Sequence, residues 1–117
     1  MEETPLQVRS ENLSGAVVLR ADGEVDSYSA ELLRDKLSEA FGAGLPVVLD
    51  LSAVEFFASA GLSVLVEYHL LGEDRGIPLR LVSPRGSVLR ALKATTLTET
   101  LDLYLDLDAA LRAGPHR

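Results

Sequence analysis

A nearly continuous apolar run, Val47-Val48-Leu49-Asp50-Leu51, is the feature that most limits how this chain can fold. Only Asp50 interrupts it, so the run lacks the apolar–polar alternation of a strand with one face in water. A short run of this composition predicts a central strand that is covered on both faces, as in the parallel sheets of α/β proteins. Gly42-Ala43-Gly44 and Pro46, just before the run, mark the end of the preceding element.

Predicted strands and helices alternate on both sides of this run. The strands are expected at residues 6–9, 16–21, 78–82 and 101–105, with a loop of acids at 22–26. Helices are expected to begin at Ser29 and Ser59, to follow Gly86, and to cover 107–112. The helix from Ser29 has one apolar stripe: Leu33, Leu37, Ala40 and Phe41. The helix from Ser59 carries Leu62, Leu65, Val66, His69 and Leu70 on one side.

This order of elements predicts an α/β domain. We expect a mixed, mostly parallel sheet of four to five strands packed with about four helices. The 117 residues suit a single domain over 1–117, with its core at about 6–112 and frayed ends at residues 1–5 and in the tail that contains His116.

Charge and cysteine content exclude several classes of function. The net charge is −7 and the eleven Lys and Arg residues are scattered, which argues against direct binding of nucleic acid. Cysteine is absent, which excludes disulfides and thiol catalysis and fits a reducing cytoplasm. No apolar run approaches the roughly 20 residues that a membrane span needs, and the acidic start does not resemble a signal peptide. We therefore expect a cytoplasmic protein without membrane contact.

Ser59 is the main candidate for a functional residue, and two interpretations of it stay open. Its hydroxyl could cap the following helix by accepting a backbone N–H. It could equally be a phosphorylation site, because a helix start tolerates a phosphate well. The small neighbours Ala58, Ala60 and Gly61 leave that hydroxyl open to another protein.

Three acids, Asp22, Glu24 and Asp26, form the second candidate group. One interpretation is a solvated turn in which Asp26 caps the next helix. The other follows from the parallel layout, in which loops after neighbouring strands open at one sheet edge, where α/β proteins place their sites. On that basis we expect Asp26 to lie close to Ser59.

Enzyme and metal templates fit poorly. His69 lies ten residues after Ser59 on the same predicted helix, which is about 15 Å along the axis and too far for a general base. No glycine-rich loop with a lysine predicts a phosphate cradle. A weak carboxylate site for a cation at Asp22 and Asp26 stays open, but we predict no cofactor.

Three segments, in this order and at this spacing, resemble the STAS domain of bacterial anti-sigma factor antagonists. They are Gly23-Glu24-Val25-Asp26, Val48-Leu49-Asp50-Leu51 and Phe56-Phe57-Ala58-Ser59-Ala60-Gly61-Leu62. Residues 78–84 and 107–111 fit as well, so the resemblance covers roughly residues 6–112.

The resemblance implies a non-enzymatic regulator that switches partners. In that family the unphosphorylated antagonist binds an anti-sigma factor, which is also a serine kinase, and frees the sigma factor. Phosphorylation, here at Ser59 by motif position, separates the two proteins, and a phosphatase resets the cycle. The implied partner-binding residues are Asp26, Ser27, Ala58, Ser59, Ala60, Gly61 and Leu62. The protein is expected to be a monomer or a weak dimer.

Two residues depart from the family pattern. Ala58 stands where the family often has Asp, and Thr96 stands where it usually has a glycine that could adopt a positive φ. The first departure keeps a second function open, a constitutive STAS interaction or scaffold module without a phosphorylation switch. A third function also stays open, a small STAS domain that binds an anion or nucleotide through the free N–H groups near Ser59 and Ala60.

Overall fold

The computed structural model describes residues 4–113. The strands are β1 (Gln7–Leu13), β2 (Ala16–Val25), β3 (Val47–Phe57), β4 (Leu79–Val82) and β5 (Asp102–Tyr104). The helices are α1 (Ala30–Phe41), α2 (Ser59–Arg75), α3 (Gly86–Ala94) and α4 (Leu107–Leu111), with a short 3-10 helix at Leu97–Glu99 between α3 and β5.

One mixed sheet of five strands forms the centre, in the order β1-β2-β3-β4-β5. β1 pairs antiparallel with β2, and every later pair is parallel. β3 is the middle strand, and Val47, Val48, Leu49 and Leu51 are fully buried in it. The predicted α/β class, the mostly parallel sheet and the central position of the apolar run are therefore confirmed.

The two faces of the sheet are covered unequally. The larger core lies under α1, α2 and α3, where the apolar stripe of α1 (Leu33, Leu37, Ala40 and Phe41) is buried as predicted. On the opposite face the short helix α4 covers a smaller cluster of Ala16, Val18, Val48, Val82 and Ala110. The carboxyl ends of β2 and β3 lead directly into α1 and α2, which brings both candidate segments to one edge of the sheet.

Both of these strands run further than the sequence predicts. The expected acidic loop at 22–26 is strand as far as Val25, and residues 52–57, expected as a loop, continue β3 to Phe57. The parallel pairing survives two register irregularities, between Arg20 and Asp22 and between Gly23 and Glu24. Such bulges break the regular side-chain alternation, which is why the pattern looked like a loop.

Two smaller expectations also change. Leu70, expected on the same side of α2 as Leu62 and Leu65, is 58% exposed. The prediction was wrong because α2 is apolar on most sides, so its pattern does not single out one buried face. Thr4 is not frayed, since its carbonyl accepts the N–H of Glu24 at 3.1 Å. Residues 1–3, the rest of the start that was predicted to fray, and the tail with His116 lie outside the described residues.

Candidate functional site

Ser59 is the first residue of α2, and Ala58 occupies the N-cap position. Ala58 has extended backbone angles (φ −76°, ψ 166°), and its carbonyl accepts the N–H groups of Gly61 (3.0 Å) and Leu62 (3.2 Å). The interpretation of Ser59 as an N-cap is therefore wrong, because the residue lies one position too far along the chain. Ser59 is exposed, and within residues 4–113 no protein group hydrogen-bonds to its hydroxyl.

Gly61 allows the start of α2 to lie directly on the sheet. A Cβ atom at this position would stand 2.6 Å from both the Phe57 ring and the Val25 side chain, which is closer than such atoms approach. Gly61 and Leu62 are both buried. Of the predicted partner-binding residues, these two pack α2 against the strand ends, and Ser59 stays on the outside.

Asp26 and Ser29 form a reciprocal hydrogen-bonded turn before α1. Asp26 Oδ1 accepts the N–H groups of Ser29 (2.8 Å) and Tyr28 (3.0 Å), and Ser29 Oγ accepts the N–H of Asp26 (2.9 Å). This is the capping-box arrangement, with Asp26 as the forward acceptor. Ser29 precedes α1 as predicted, but its hydroxyl makes no cap bond to the helix and points back toward Asp26 and Glu24 instead.

The electrostatics of this turn follow from those bonds. The Ser29 backbone N–H, followed by its hydroxyl, stabilises the ionised Asp26 carboxylate and lowers its pKa below the ordinary value of 3.8. The neighbouring predicted residue, Ser27, is exposed. Asp26 thus carries a capping role in the fold, and a contact with a partner stays a prediction.

Gly23 lies near the end of β2, at a position that requires glycine. Its φ is +109°, and an added Cβ would stand 2.4 Å from the Pro5 carbonyl oxygen. Only glycine has both the backbone freedom and the absence of a side chain that this close approach requires. The N-terminal segment is held here against the end of β2.

The structure brings the two candidate segments together through the backbone. The Ala58 N–H donates to the Val25 carbonyl at 2.8 Å, so the residues directly before Ser59 and Asp26 are hydrogen-bonded to each other. The side chains nevertheless border different grooves. One groove is lined by Thr4, Pro5, Leu6, Glu24, Asp26, Tyr28 and Ser29, and the other by Ser59, Leu62, Ser63, Val66, Glu67, Thr95 and Leu97.

The groove beside Ser59 is open and mainly apolar, with a volume of about 500 Å³. No Lys or Arg is among its lining residues, and its single carboxylate, Glu67, is paired with Arg34 of α1. Sequence reasoning missed Thr95 and Leu97, which are distant in the sequence and complete this groove. No local pattern signals that the end of α3 lies beside the start of α2.

Tyr28 is the third residue that the sequence reasoning missed. It is 91% exposed and lies between Ser27 and Ser29, in the groove beside Asp26. An aromatic ring that is left in water at a strand-to-helix turn is a common feature of binding surfaces. The signal in the sequence was the position of Tyr28 two residues after the Gly23–Asp26 motif.

Thr96 shows how the chain tolerates its second departure from the family pattern. The residue adopts a left-handed conformation, with φ 58° and ψ 17°, which is the geometry that a glycine at this position would permit. A β-branched residue in that region is strained. The turn after α3 is therefore left-handed, and Thr96 bears the strain.

The described residues offer little for catalysis. Ser59 and His69 both lie on α2, and their separation of ten positions corresponds to about 15 Å along the axis. Among residues 4–113 no group of three or more His, Asp or Glu side chains could hold a metal ion. In the same part of the chain, no helix has the length and apolar character that crossing a membrane requires.

Comparisons with known proteins agree on one family. Residues 7–110 match the STAS domain family. The chain is 35% identical over 101 residues to the anti-sigma-F factor antagonist RsfB of Mycobacterium tuberculosis, a match that spans 84% of this chain and 80% of that protein. It is 31% identical over 81 residues to the anti-sigma-B factor antagonist of Bacillus subtilis, spanning 69% and 74% of the two chains.

Solved structures give the same result. The crystal structure of an anti-sigma factor antagonist from Mycobacterium paratuberculosis superposes with a TM-score of 0.77 at 34% sequence identity, and the match covers 92% of each chain. A crystal structure from Thermotoga maritima superposes with a TM-score of 0.78 at 25% identity.

Proposed function

The chain belongs to the STAS domain family, and we propose that it is an anti-sigma factor antagonist that phosphorylation at Ser59 releases from its partner. The names of its relatives support the first part of this proposal. The single observation that carries the second part is the Ser59 hydroxyl, which is exposed and without a protein hydrogen-bond partner among the described residues.

Access of a kinase to Ser59 follows from its neighbours. Ala58 and Ala60 carry only methyl groups and Gly61 has no side chain, so none of these neighbours covers the exposed Ser59. Phosphate transfer forms a bond between Ser59 Oγ and the γ-phosphorus of ATP, releases ADP and gives up the hydroxyl proton. The backbone N–H groups and the positive end of the helix dipole at the start of α2 then stabilise the phosphate.

The same modification weakens docking because of what lies beside it. A phosphate adds about 1.5 to 2 negative charges at neutral pH. The adjoining groove is mainly apolar and has no cation in its lining, so a partner that covers it would enclose an unpaired charge. The switch then acts through charge and desolvation, without a rearrangement of the fold.

The implied partners are proteins. We propose an anti-sigma factor with serine kinase activity as the binding partner, and a phosphatase that restores Ser59. The chain itself acts by binding and performs no catalysis, and the proposed setting is the cytoplasm, where a sigma factor works.

The proposal is tested by incubating the protein with ATP and a cognate anti-sigma factor kinase, followed by intact-mass and peptide mass spectrometry. We expect one phosphate, located on Ser59, and none on Ser59→Ala. A kinase that modifies another antagonist but leaves this chain unmodified would contradict the switch. That outcome would favour the constitutive interaction module without a phosphorylation switch. Ala58, the N-cap residue before Ser59, suggests this alternative because it stands where the family often has Asp.

A further inference from the structure

Among residues 4–113, the outer edge of β1 has backbone N–H and C=O groups that no neighbouring strand pairs with. The Val17 N–H donates to the Pro46 carbonyl at 2.9 Å, so Val17 faces β3. Backbone groups alternate between the two sides of a strand, so Val18 and Arg20 face β1 instead. Their register partners are Glu11 and Arg9.

The same alternation determines which residues of β1 direct their backbone groups away from the sheet. Arg9, Glu11 and Leu13 exchange hydrogen bonds with β2, and the residues between them direct their N–H and C=O groups away from the sheet. These outward residues are Val8, Ser10 and Asn12. β1 is the first strand in the sheet order, so within residues 4–113 no strand covers this edge.

The charges on β1 are arranged symmetrically about Ser10. Arg9 precedes Ser10 and Glu11 follows it, and Ser10 is the middle residue of Gln7–Leu13. Arg9 lies directly opposite Arg20 in the sheet, and within the described residues no carboxylate forms an ion pair with it. Glu11 and Asp50 both pair with Arg20, at 2.8 and 3.4 Å.

We propose that the β1 edge binds a second copy of this chain, antiparallel and centred on Ser10. In this register Ser10 faces Ser10 of the other copy, and Val8 faces Asn12, so the outward backbone groups pair. Arg9 of each copy lies opposite Glu11 of the other, in the closer, non-hydrogen-bonded type of pair. The two five-stranded sheets join into one continuous sheet.

The charges favour a second copy over a strand of another protein. Antiparallel pairing about Ser10 places Arg9 of each copy opposite Glu11 of the other. Each Arg9 thereby gains a carboxylate partner, which it does not have within the described residues of a single chain. A shift of the centre to Arg9 or Glu11 would place like charges opposite each other, which is unfavourable. The pairing leaves Ser59 on α2 free, so the inference is independent of the proposed function.

The contact between two strand edges is small, so the dimer is weak. It buries less than the roughly 1,200 Å² of a stable complex, and we expect a dissociation constant between about 10 µM and 1 mM. Sedimentation equilibrium over that concentration range measures it directly. Wild-type protein that stays monomeric up to about 1 mM would overturn the proposal.

Charge variants test the register. Arg9→Glu and Glu11→Arg each place two like-charge pairs across the edge, and each should weaken dimerisation roughly tenfold or more. They shift the net charge in opposite directions, so an effect of overall charge cannot weaken both. An equimolar mixture of the two variants restores both opposite-charge pairs, and it should associate more tightly than either variant alone. A mixture that associates no better would overturn the register.

Ser10→Pro tests the backbone pairing. The Ser10 N–H points away from β2, so proline removes a bond of the dimer and no bond of the fold. We expect an unchanged far-UV circular dichroism spectrum and a monomer at every concentration. Lys93→Glu, on the exposed face of α3, is the control for charge and should dimerise like wild type. A Ser10→Pro protein that is folded and dimerises as wild type does would contradict the pairing.

Discussion

Replacing Ser59 by alanine separates a structural role of this residue from a functional one. A serine that caps a helix contributes about 0.5–2 kcal/mol, which alanine loses. In the structure Ala58 is the N-cap and the Ser59 hydroxyl is exposed without a protein partner among residues 4–113, so alanine removes no bond of the fold. Alanine also has the higher helix propensity, by at most about 0.5 kcal/mol. We therefore expect Ser59→Ala to be as stable as wild type or more stable by about 0.5 kcal/mol.

Asp106 provides a matched control, because its side chain does cap a helix. Asp106 Oδ1 accepts the N–H of Ala109 at 2.8 Å at the start of α4. Asp106→Ala should lose about 1 kcal/mol. Urea unfolding followed by far-UV circular dichroism measures both changes, provided that the slopes agree with that of wild type.

A loss of 1 kcal/mol or more in Ser59→Ala, similar to the loss in Asp106→Ala, would show that the Ser59 hydroxyl has a structural role. The Ser59 hydroxyl would then stabilise α2 in solution, and its presence in the sequence would need no kinase to explain it.

Three further substitutions test the surroundings of the site. Thr96→Gly should relieve about 1–2 kcal/mol of left-handed strain against an entropic cost of about 0.5–1 kcal/mol; a rise in Tm of about 2–6 °C by calorimetry is expected, and a fall would contradict the strain. Gly61→Ala should destabilise by about 1–2 kcal/mol in urea, because overpacking against Phe57 exceeds the gain in helix propensity; unchanged stability would mean that α2 can shift outward. Asp26→Asn keeps the capping geometry but removes an ionisation whose pKa the Ser29 bonds lower. A lowered pKa stabilises the fold above the ordinary value of 3.8, and this contribution disappears as the pH falls through the lowered value. The wild type should therefore lose stability more steeply than Asp26→Asn below about pH 4, and parallel curves would contradict this assignment.

Much of the fold could be predicted because its signals are local. The run at 47–51 has the composition of a buried central strand, and the α1 stripe has a clear helical period. The helix starts near Ser29 and Ser59 were predicted to within one residue, although neither hydroxyl caps its helix. The ordered motifs around Asp26 and Ser59 then indicated the family.

What the sequence could not provide depends on contacts between distant segments. The ends of β2 and β3 are strands because they pair with each other through register shifts, which no local alternation reveals. The groove beside Ser59 needs Thr95 and Leu97 from another part of the chain. The capping role assigned to Ser59 failed by one residue, and only the backbone angles of Ala58 decide such a boundary.

The central claim is that negative charge at Ser59 prevents docking of the anti-sigma factor. Isothermal titration calorimetry with the cognate anti-sigma factor tests it most directly, with Ser59→Ala, Ser59→Asp and the exposed α1 variant Ser38→Asp as the charge control. We expect Ser59→Ala and Ser38→Asp to bind like wild type and Ser59→Asp to bind at least about tenfold more weakly, a difference of about 1.4 kcal/mol. Equal affinity for all four proteins would contradict the account.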